Sequence, residues 1–321
     1  MTRDTIDVPS TAAAAAEPRF LPARRRRRFP WAPWLLLLPV VLALGAVLGY
    51  PSYKLVTLSF QRYGLFELIQ KQGHWIGLDN FDSVLHDRVF WDTVVRTVIF
   101  TIVNVGLTIV LGTLIALLLT RLSRWVRIPL LTSLVLVWSM PVVVAVQVFY
   151  WMTNFENGVI TYILHQVRLV PASHDWYGWS TSSLAMVTLL IVWGALPFIV
   201  VTVYAALAQV PGELVEAARV DGAGGLRIFR DVTFPVLKPI LLILTSLSII
   251  WDFGVFAQPY LLIGASHVDK TNYLMGVYVF IKGYGEHDFG RGAAISLLML
   301  AMVAILSVPY VRQMLKTGRA E

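Results

Sequence analysis

Six apolar stretches, each long enough to cross a lipid bilayer, constrain this chain more than any other feature of its sequence: residues 34–60, 94–120, 128–151, 182–207, 239–260 and 292–311. A hydrocarbon core about 30 Å thick requires roughly 20 apolar residues at 1.5 Å rise each. Inside lipid the backbone amides and carbonyls must be satisfied within the segment, so such stretches are helices and not open strands. The chain as a whole agrees, being 57% hydrophobic and 14% charged, against about 45–50% and 25% in an ordinary soluble domain. The expected fold class is an all-α integral membrane protein with about six transmembrane helices. Pro39 and Pro51 are expected to bend the first of them. There is no cysteine, which excludes disulfides, thiolate metal sites and cysteine nucleophiles within the chain.

Lysine and arginine concentrate at the cytoplasmic ends of membrane helices. With the N-terminus inside, the inner side holds Arg3, Arg19, Arg24 to Arg28, Arg121, Arg124, Arg127, Arg219, Arg227, Arg230, Lys238, Arg312, Lys316 and Arg319, which is 17 of the 26 cations. Both termini are therefore expected in the cytoplasm, and the chain in the plasma membrane. The outer loops then carry all six histidines: His74, His86, His165, His174, His267 and His287. Residues 1–28 have no helical or strand period and read as a disordered basic cytoplasmic tail, 29–316 as the transmembrane domain and 317–321 as a second tail. Arg24 to Arg28 also admit a twin-arginine export signal or a nucleic-acid patch. No separate apolar region of 7–15 residues precedes the long first span, so the run is read as a topology anchor, and no nucleic-acid partner is expected.

The loop between the fourth and fifth spans, residues 210–238, reads VPGELVEAARVDGAGGLRIFRDVTFPVLK and falls on the inner side. Pro211 suits the first turn of a helix, Glu213 complements the helix dipole, and Gly222, Gly224 and Gly225 stop the helix after about three turns. At 100° per residue Leu214, Ala217, Ala218 and Asp221 share a face, with Glu216 nearly opposite. A second short helix over 226–232 is expected to end before Pro235. This much describes either a connector or a docking lug.

Glu216-Ala217-Ala218, three residues, Gly222, nine residues, then Val232-Thr233-Phe234-Pro235 resembles the EAA loop of ABC-importer permeases, with valine and phenylalanine in place of isoleucine and leucine. Gly77-Leu78-Asp79-Asn80-Phe81, Arg96-Thr97 and Gly290-Arg291-Gly292-Ala293-Ala294 are similar to the carbohydrate-uptake branch, the group of the larger maltose-type permease. Ile263-Gly264-Ala265-Ser266-His267 departs from the T-x-G-G-P of many relatives. The resemblance covers roughly residues 34–316. It implies the type I importer fold, a bacterial-type inner membrane and a non-catalytic subunit that forms the path of a mono- to oligosaccharide. The implied partners are a second homologous permease, a dimer of ATPase subunits and an external solute-binding protein. It also implies an ATPase-coupling segment of Glu213, Glu216, Ala217, Ala218, Asp221, Gly222 and Pro235. The chain has no G-x-x-x-x-G-K-[ST] phosphate loop, so no cofactor is expected in it, and ATP with Mg would be bound by the partner ATPase.

Within the spans Asp252 stands out, since a carboxylate facing lipid is costly. Trp251 beside it suits stacking on a sugar face, and Asn104, Trp138, Gln147 and Trp193 are further candidates for the substrate path. Interfacial tryptophans and interhelical amides supply the alternative reading of each. The histidine spacings place no pair on one helical face, so neither a metal site nor a catalytic site is expected. A secondary transporter driven by an ion gradient is the alternative function, but it would carry several buried ionisable groups and paired broken helices. A membrane enzyme would need converging acid, base or metal groups, and no histidine lies within a span.

Overall fold

The computed structural model of the chain describes residues 31–171, 174–264 and 268–317. The expected tail over 1–28, residues 318–321 and Ala265-Ser266-His267 lie outside them. Five described helices are long and apolar enough to cross a membrane, and a bent pair makes a sixth crossing when taken as one span.

The first is Trp34–Ser59, built from α1 (Ala32–Leu44), a π-helical turn at Gly45–Gly49 and α2 (Tyr50–Ser59). The widened turn lies where the ring of Pro51 would meet the carbonyl one turn earlier, so the helix continues through the proline. Its apolar side chains, Leu36 and Val47 among them, are exposed.

A small cap follows. Strands β1 (Gln61–Arg62) and β2 (His74–Trp75) pair antiparallel around α3 (Leu65–Gln70), and α4 (Asp79–Leu85) leads back to the membrane. Asn80 is buried, and its Nδ2 donates to the carbonyls of Ser59 and Gln61, both at 2.9 Å. Phe81 packs on Phe60, and Gly77 supplies a left-handed turn at φ +64. The Gly77 to Phe81 segment is thus the rivet of the cap. Asn80→Ala is expected to destabilise the fold by about 1–3 kcal/mol, because it strands the buried Ser59 carbonyl and the half-buried Gln61 carbonyl. A thermal melt of the detergent-solubilised protein checks this.

Helix α5 (Arg88–Arg121) is the central post, capped by Asp87, whose carboxylate accepts from the Val89 amide at 2.9 Å. It packs along α9 (Ser180–Leu207) and α12 (Phe234–Phe253). Gly112 permits close approach there, since a Cβ on it would fall 2.6 Å from Ile199 Cγ2. Toward the Arg121 end the core is Ala116, Leu119, Ile199, Val203 and Leu237; toward the Arg88 end it is Phe90, Phe253, Met275 and Tyr278.

Between α5 and α9 the expected single third span is two helices, α6 (Arg124–Trp138) and α7 (Val142–Thr153), bent by 104° at Ser139-Met140-Pro141. Pro141 lacks an amide hydrogen and its ring disfavours helical backbone at Met140, so the break falls there. Helix α8 (Val159–Gln166) follows.

After α9 come α10 (Gly212–Val220) and α11 (Gly225–Ile228). The expectation that the second short helix stops before Pro235 is corrected. It runs through a π-helical turn at Phe229–Thr233 into α12, one helix over Gly225–Phe253. Pro235 sits in the first turn of α12, where the widened turn removes the carbonyl it would otherwise oppose. The fifth span also ends earlier than expected, at Phe253 and not Tyr260.

Helices α13 (Ala257–Ile263) and α14 (Met275–Phe280) are too short to cross and lie in the core, with Leu262, Leu274 and Met275 fully buried. Arg96 Nη1 donates to the Tyr273 carbonyl at 2.8 Å, and Thr97 Oγ1 accepts from the Met275 amide at 3.0 Å. Arg96-Thr97 therefore clamps the start of α14 to α5. Helix α15 (Phe289–Thr317) completes the bundle. A Cβ on its Gly292 would lie 2.8 Å from the Gly283 Cα, and one on Gly290 would overlap the Gln61 carbonyl. The glycines of Gly290-Arg291-Gly292 are thus contact points with the cap and with the turn before α15.

Candidate functional site

Two regions gather the residues that carry chemistry. The first is the elbow of α10 and α11 at the Arg121 end of the bundle. Gly222 has φ +77, its amide donates to the Arg219 carbonyl at 3.0 Å, and the Ala223 amide donates to the Ala218 carbonyl at 2.9 Å. Together these bonds form a Schellman cap, in which a left-handed residue closes the last helical turn. The Ala218-to-Gly222 spacing is what this cap demands, because glycine takes positive φ without Cβ strain.

The faces of α10 differ in part from the expectation. Val215 and Ala218 turn half-buried toward the bundle, while Leu214, Ala217 and Asp221 are exposed with Glu213 and Val220. Glu216 lines a cleft of about 650 Å³ between the elbow and the ends of α5 and α9, with Arg121, Arg219, Leu207 and Phe229. Glu216 is itself exposed, and the cleft also holds two arginines. Val220 and Leu226 are 88% and 83% exposed, leaving an apolar tip flanked by Asp221 and Arg227. Pro235 lies in the first turn of α12 and lines no part of this cleft.

The second region is a cavity of about 260 Å³ at the α6–α7 break. Trp138, Trp193, Trp251 and Asp252 line it together, with Met140, Val142, Phe198 and Gln258. The four come from α6, α9 and α12, and share no sequence neighbourhood apart from the Trp251-Asp252 pair. Phe198 links the aromatics, its ring centroid 5.9 Å from Trp138 and 5.6 Å from Trp251. Asp252 is buried, and its carboxylate has no hydrogen-bond or ion-pair partner among the described residues. A buried unpaired carboxylate is costly, and its free oxygens can accept hydrogen bonds from hydroxyls. The flat aromatic faces around it suit stacking on a sugar ring.

The other two path candidates are elsewhere. Asn104 is buried between α5 and α9, its Nδ2 donating to the Phe100 carbonyl at 2.8 Å and to Thr188 Oγ1 at 3.4 Å. Gln147 is exposed on α7 and lines none of the cavities described here. Sequence reasoning missed Phe198, which nothing distinguishes among 16 phenylalanines. It also missed Gln258, a polar residue just past the span and a fair candidate on that ground.

Comparison with known proteins defines the class. Residues 108–316 match the family described as the binding-protein-dependent transport system inner membrane component. The fold is that of a type I importer transmembrane subunit. It resembles a chain in the crystal structure of a bacterial ABC transporter involved in the import of the acidic polysaccharide alginate, with a TM-score of 0.74 at 17% identity, covering 89% of this chain and 96% of that one.

The chain belongs to that permease family and is a membrane protein. It is 43% identical to the diacetylchitobiose uptake system permease protein DasB of Streptomyces coelicolor, over 90% of this chain and 88% of the relative. It is 30% identical to the trehalose/maltose transport system permease protein MalF of Thermococcus litoralis, over 89% and 93%.

Proposed function

We propose that this chain is the pore-forming subunit of an ATP-driven importer for a neutral sugar, a mono- to oligosaccharide delivered by an external binding protein. The convergence of Trp138, Trp193, Trp251 and the unpaired Asp252 on one cavity carries the sugar reading. In this reading sugar rings stack on the tryptophans while Asp252 accepts from hydroxyls. The 43% identity to a permease named for diacetylchitobiose uptake supports a short, N-acetylated oligosaccharide as the first cargo to test. A second, homologous permease completes the path.

The elbow is the coupling element. It faces the cytoplasm, as do both termini, and seats against an ATPase subunit that binds ATP and Mg. Glu213, Glu216 and Asp221 offer that partner carboxylates, Ala217 a flat patch, Val215 and Ala218 hold the elbow to the bundle, and Gly222 fixes its turn. A short capped helix moves as a rigid body, which a two-state transmission requires.

Purification through this chain is expected to bring down an ATPase and a second permease, and ATP hydrolysis should rise when sugar-loaded binding protein is added. Uptake that persists after ATP depletion at a fixed ion gradient would favour a secondary transporter. Asp252→Ala is expected to lower sugar uptake about tenfold or more, since a hydrogen bond to a charged group contributes about 1.5–3 kcal/mol. Uptake assays on vesicles read this, and unchanged rate and selectivity would remove Asp252 from the path.

A further inference from the structure

A second cavity lies behind Trp193. It has a volume of about 420 Å³, and its wall is Ala145, Val148, Phe149 and Met152 of α7, Ile160 and Leu164 of α8, Trp176, and Met186, Leu189 and Trp193 of α9. Its size falls within the ≈300–1,000 Å³ of small-molecule sites. The polar atoms on its wall are engaged. Thr153 Oγ1 bonds the Phe149 carbonyl and the Tyr177 hydroxyl, and Trp176 Nε1 donates to Thr161 Oγ1 at 3.0 Å. An occupant must therefore be apolar.

Val148 and Leu189, 43% and 53% exposed, stand at the mouth. Leu189 is nine residues along α9 from Ser180, about 14 Å at 1.5 Å rise. That is about the depth of one leaflet of a 30 Å core, so the cavity opens into hydrocarbon. At the water-facing end its α8 wall carries a cation. The Leu169 amide donates to the Leu164 carbonyl and the Arg168 amide to that of His165, so the chain closes α8 with exposed Arg168 four residues after the slot-lining Leu164. Arg168 makes no ion pair among the described residues, and the Asp175 carboxylate accepts from the Tyr177 amide at 2.9 Å.

We propose that this slot binds one acyl chain of an anionic phospholipid, with Arg168 on its phosphate. Ala145 and Trp193 line both this slot and the cavity containing Asp252. The lipid chain thereby backs the Trp193 ring against which the cargo would stack, and lipid composition becomes a regulator of transport. The lipid site itself stands whether or not sugar is the cargo.

The test is native mass spectrometry of the membrane assembly purified through the full chain and delipidated, with phosphatidylglycerol or phosphatidylcholine added back. The wild type should retain phosphatidylglycerol at least fivefold better than Leu164→Trp, which fills the slot. Arg168→Gln should lose the preference for phosphatidylglycerol over phosphatidylcholine. Soluble glycerol phosphate should not displace the lipid. Equal retention by wild type and Arg168→Gln overturns the proposal without relying on Leu164→Trp to fold. So does displacement by glycerol phosphate, which would mark a phosphate site without a chain slot. Loss of a second permease from Leu164→Trp with lipid retention intact would show that a protein side chain fills the slot, and also overturns it.

Discussion

Glu216→Lys and Gly222→Val are each expected to abolish uptake while the protein still inserts and assembles. Glu216 is exposed on the elbow and lines the cleft with Arg121 and Arg219, and lysine there would reverse the charge the elbow offers a partner. Gly222 is different, because a Cβ on it would meet nothing within 4 Å. The penalty is therefore in the backbone alone, about 1–2 kcal/mol for a left-handed residue with a Cβ, and larger for a β-branched one. Valine should open the Schellman cap and release the tip of the elbow. Labelled-sugar uptake, alongside copurification of the ATPase, reads both variants. Normal uptake by the pair would end the coupling assignment.

The second large effect is on folding. Gly290→Leu is expected to destabilise the protein by about 3 kcal/mol or more. Its Cβ would overlap the Gln61 carbonyl and fall 3.1 Å from Asn80 Nδ2 and 3.3 Å from the Tyr63 amide. These are backbone and buried polar atoms that cannot swing away. Overpacking costs about 1–3 kcal/mol, and displacing Asn80 strands buried carbonyls at a similar cost each. Gly49→Ala, at a position with open space around it, is the control and should melt with the wild type. A melting curve in detergent separates the two, and equal midpoints would contradict the packing described for the cap.

Hydropathy made five crossings legible because it reads exactly what a bilayer selects, the length and apolarity of a segment. It misjudged ends and directions. Helix α5 starts at Arg88, before the 94 expected, since Asp87 caps it there and the charges of Arg88 and Asp92 kept its first turns out of the apolar run. The α6–α7 break was concealed by apolar residues on both sides, though Ser139-Met140-Pro141 carried the signal in the proline. The continuation of α11 into α12 was hidden by Pro235, whose ordinary effect the π-helical turn cancels. In the elbow the Gly222 turn was readable from spacing, whereas the inward facing of Val215 depends on how the elbow packs. Trp138, Trp193, Trp251 and Asp252 were legible as residue types, but their meeting was not, because it depends on helices far apart in the chain. Asn104 looked the same in sequence, but lies away from this cavity, its Nδ2 bridging α5 and α9.

The break at Pro141 has a chemical meaning for the cavity beside it. The first-turn amides of α7 have no intrahelical acceptor, and Met140 and Val142 bring that helix start to the rim that Asp252 also lines. Hydrogen-bond donors without a formal charge thus share this rim with a carboxylate acceptor, and no lysine or arginine stands among the described lining residues. Under the proposed function, a guest carrying hydroxyls that both give and take protons would match this chamber, whereas a carboxylated or sulfated one would meet Asp252 with no counter-ion to shelter it.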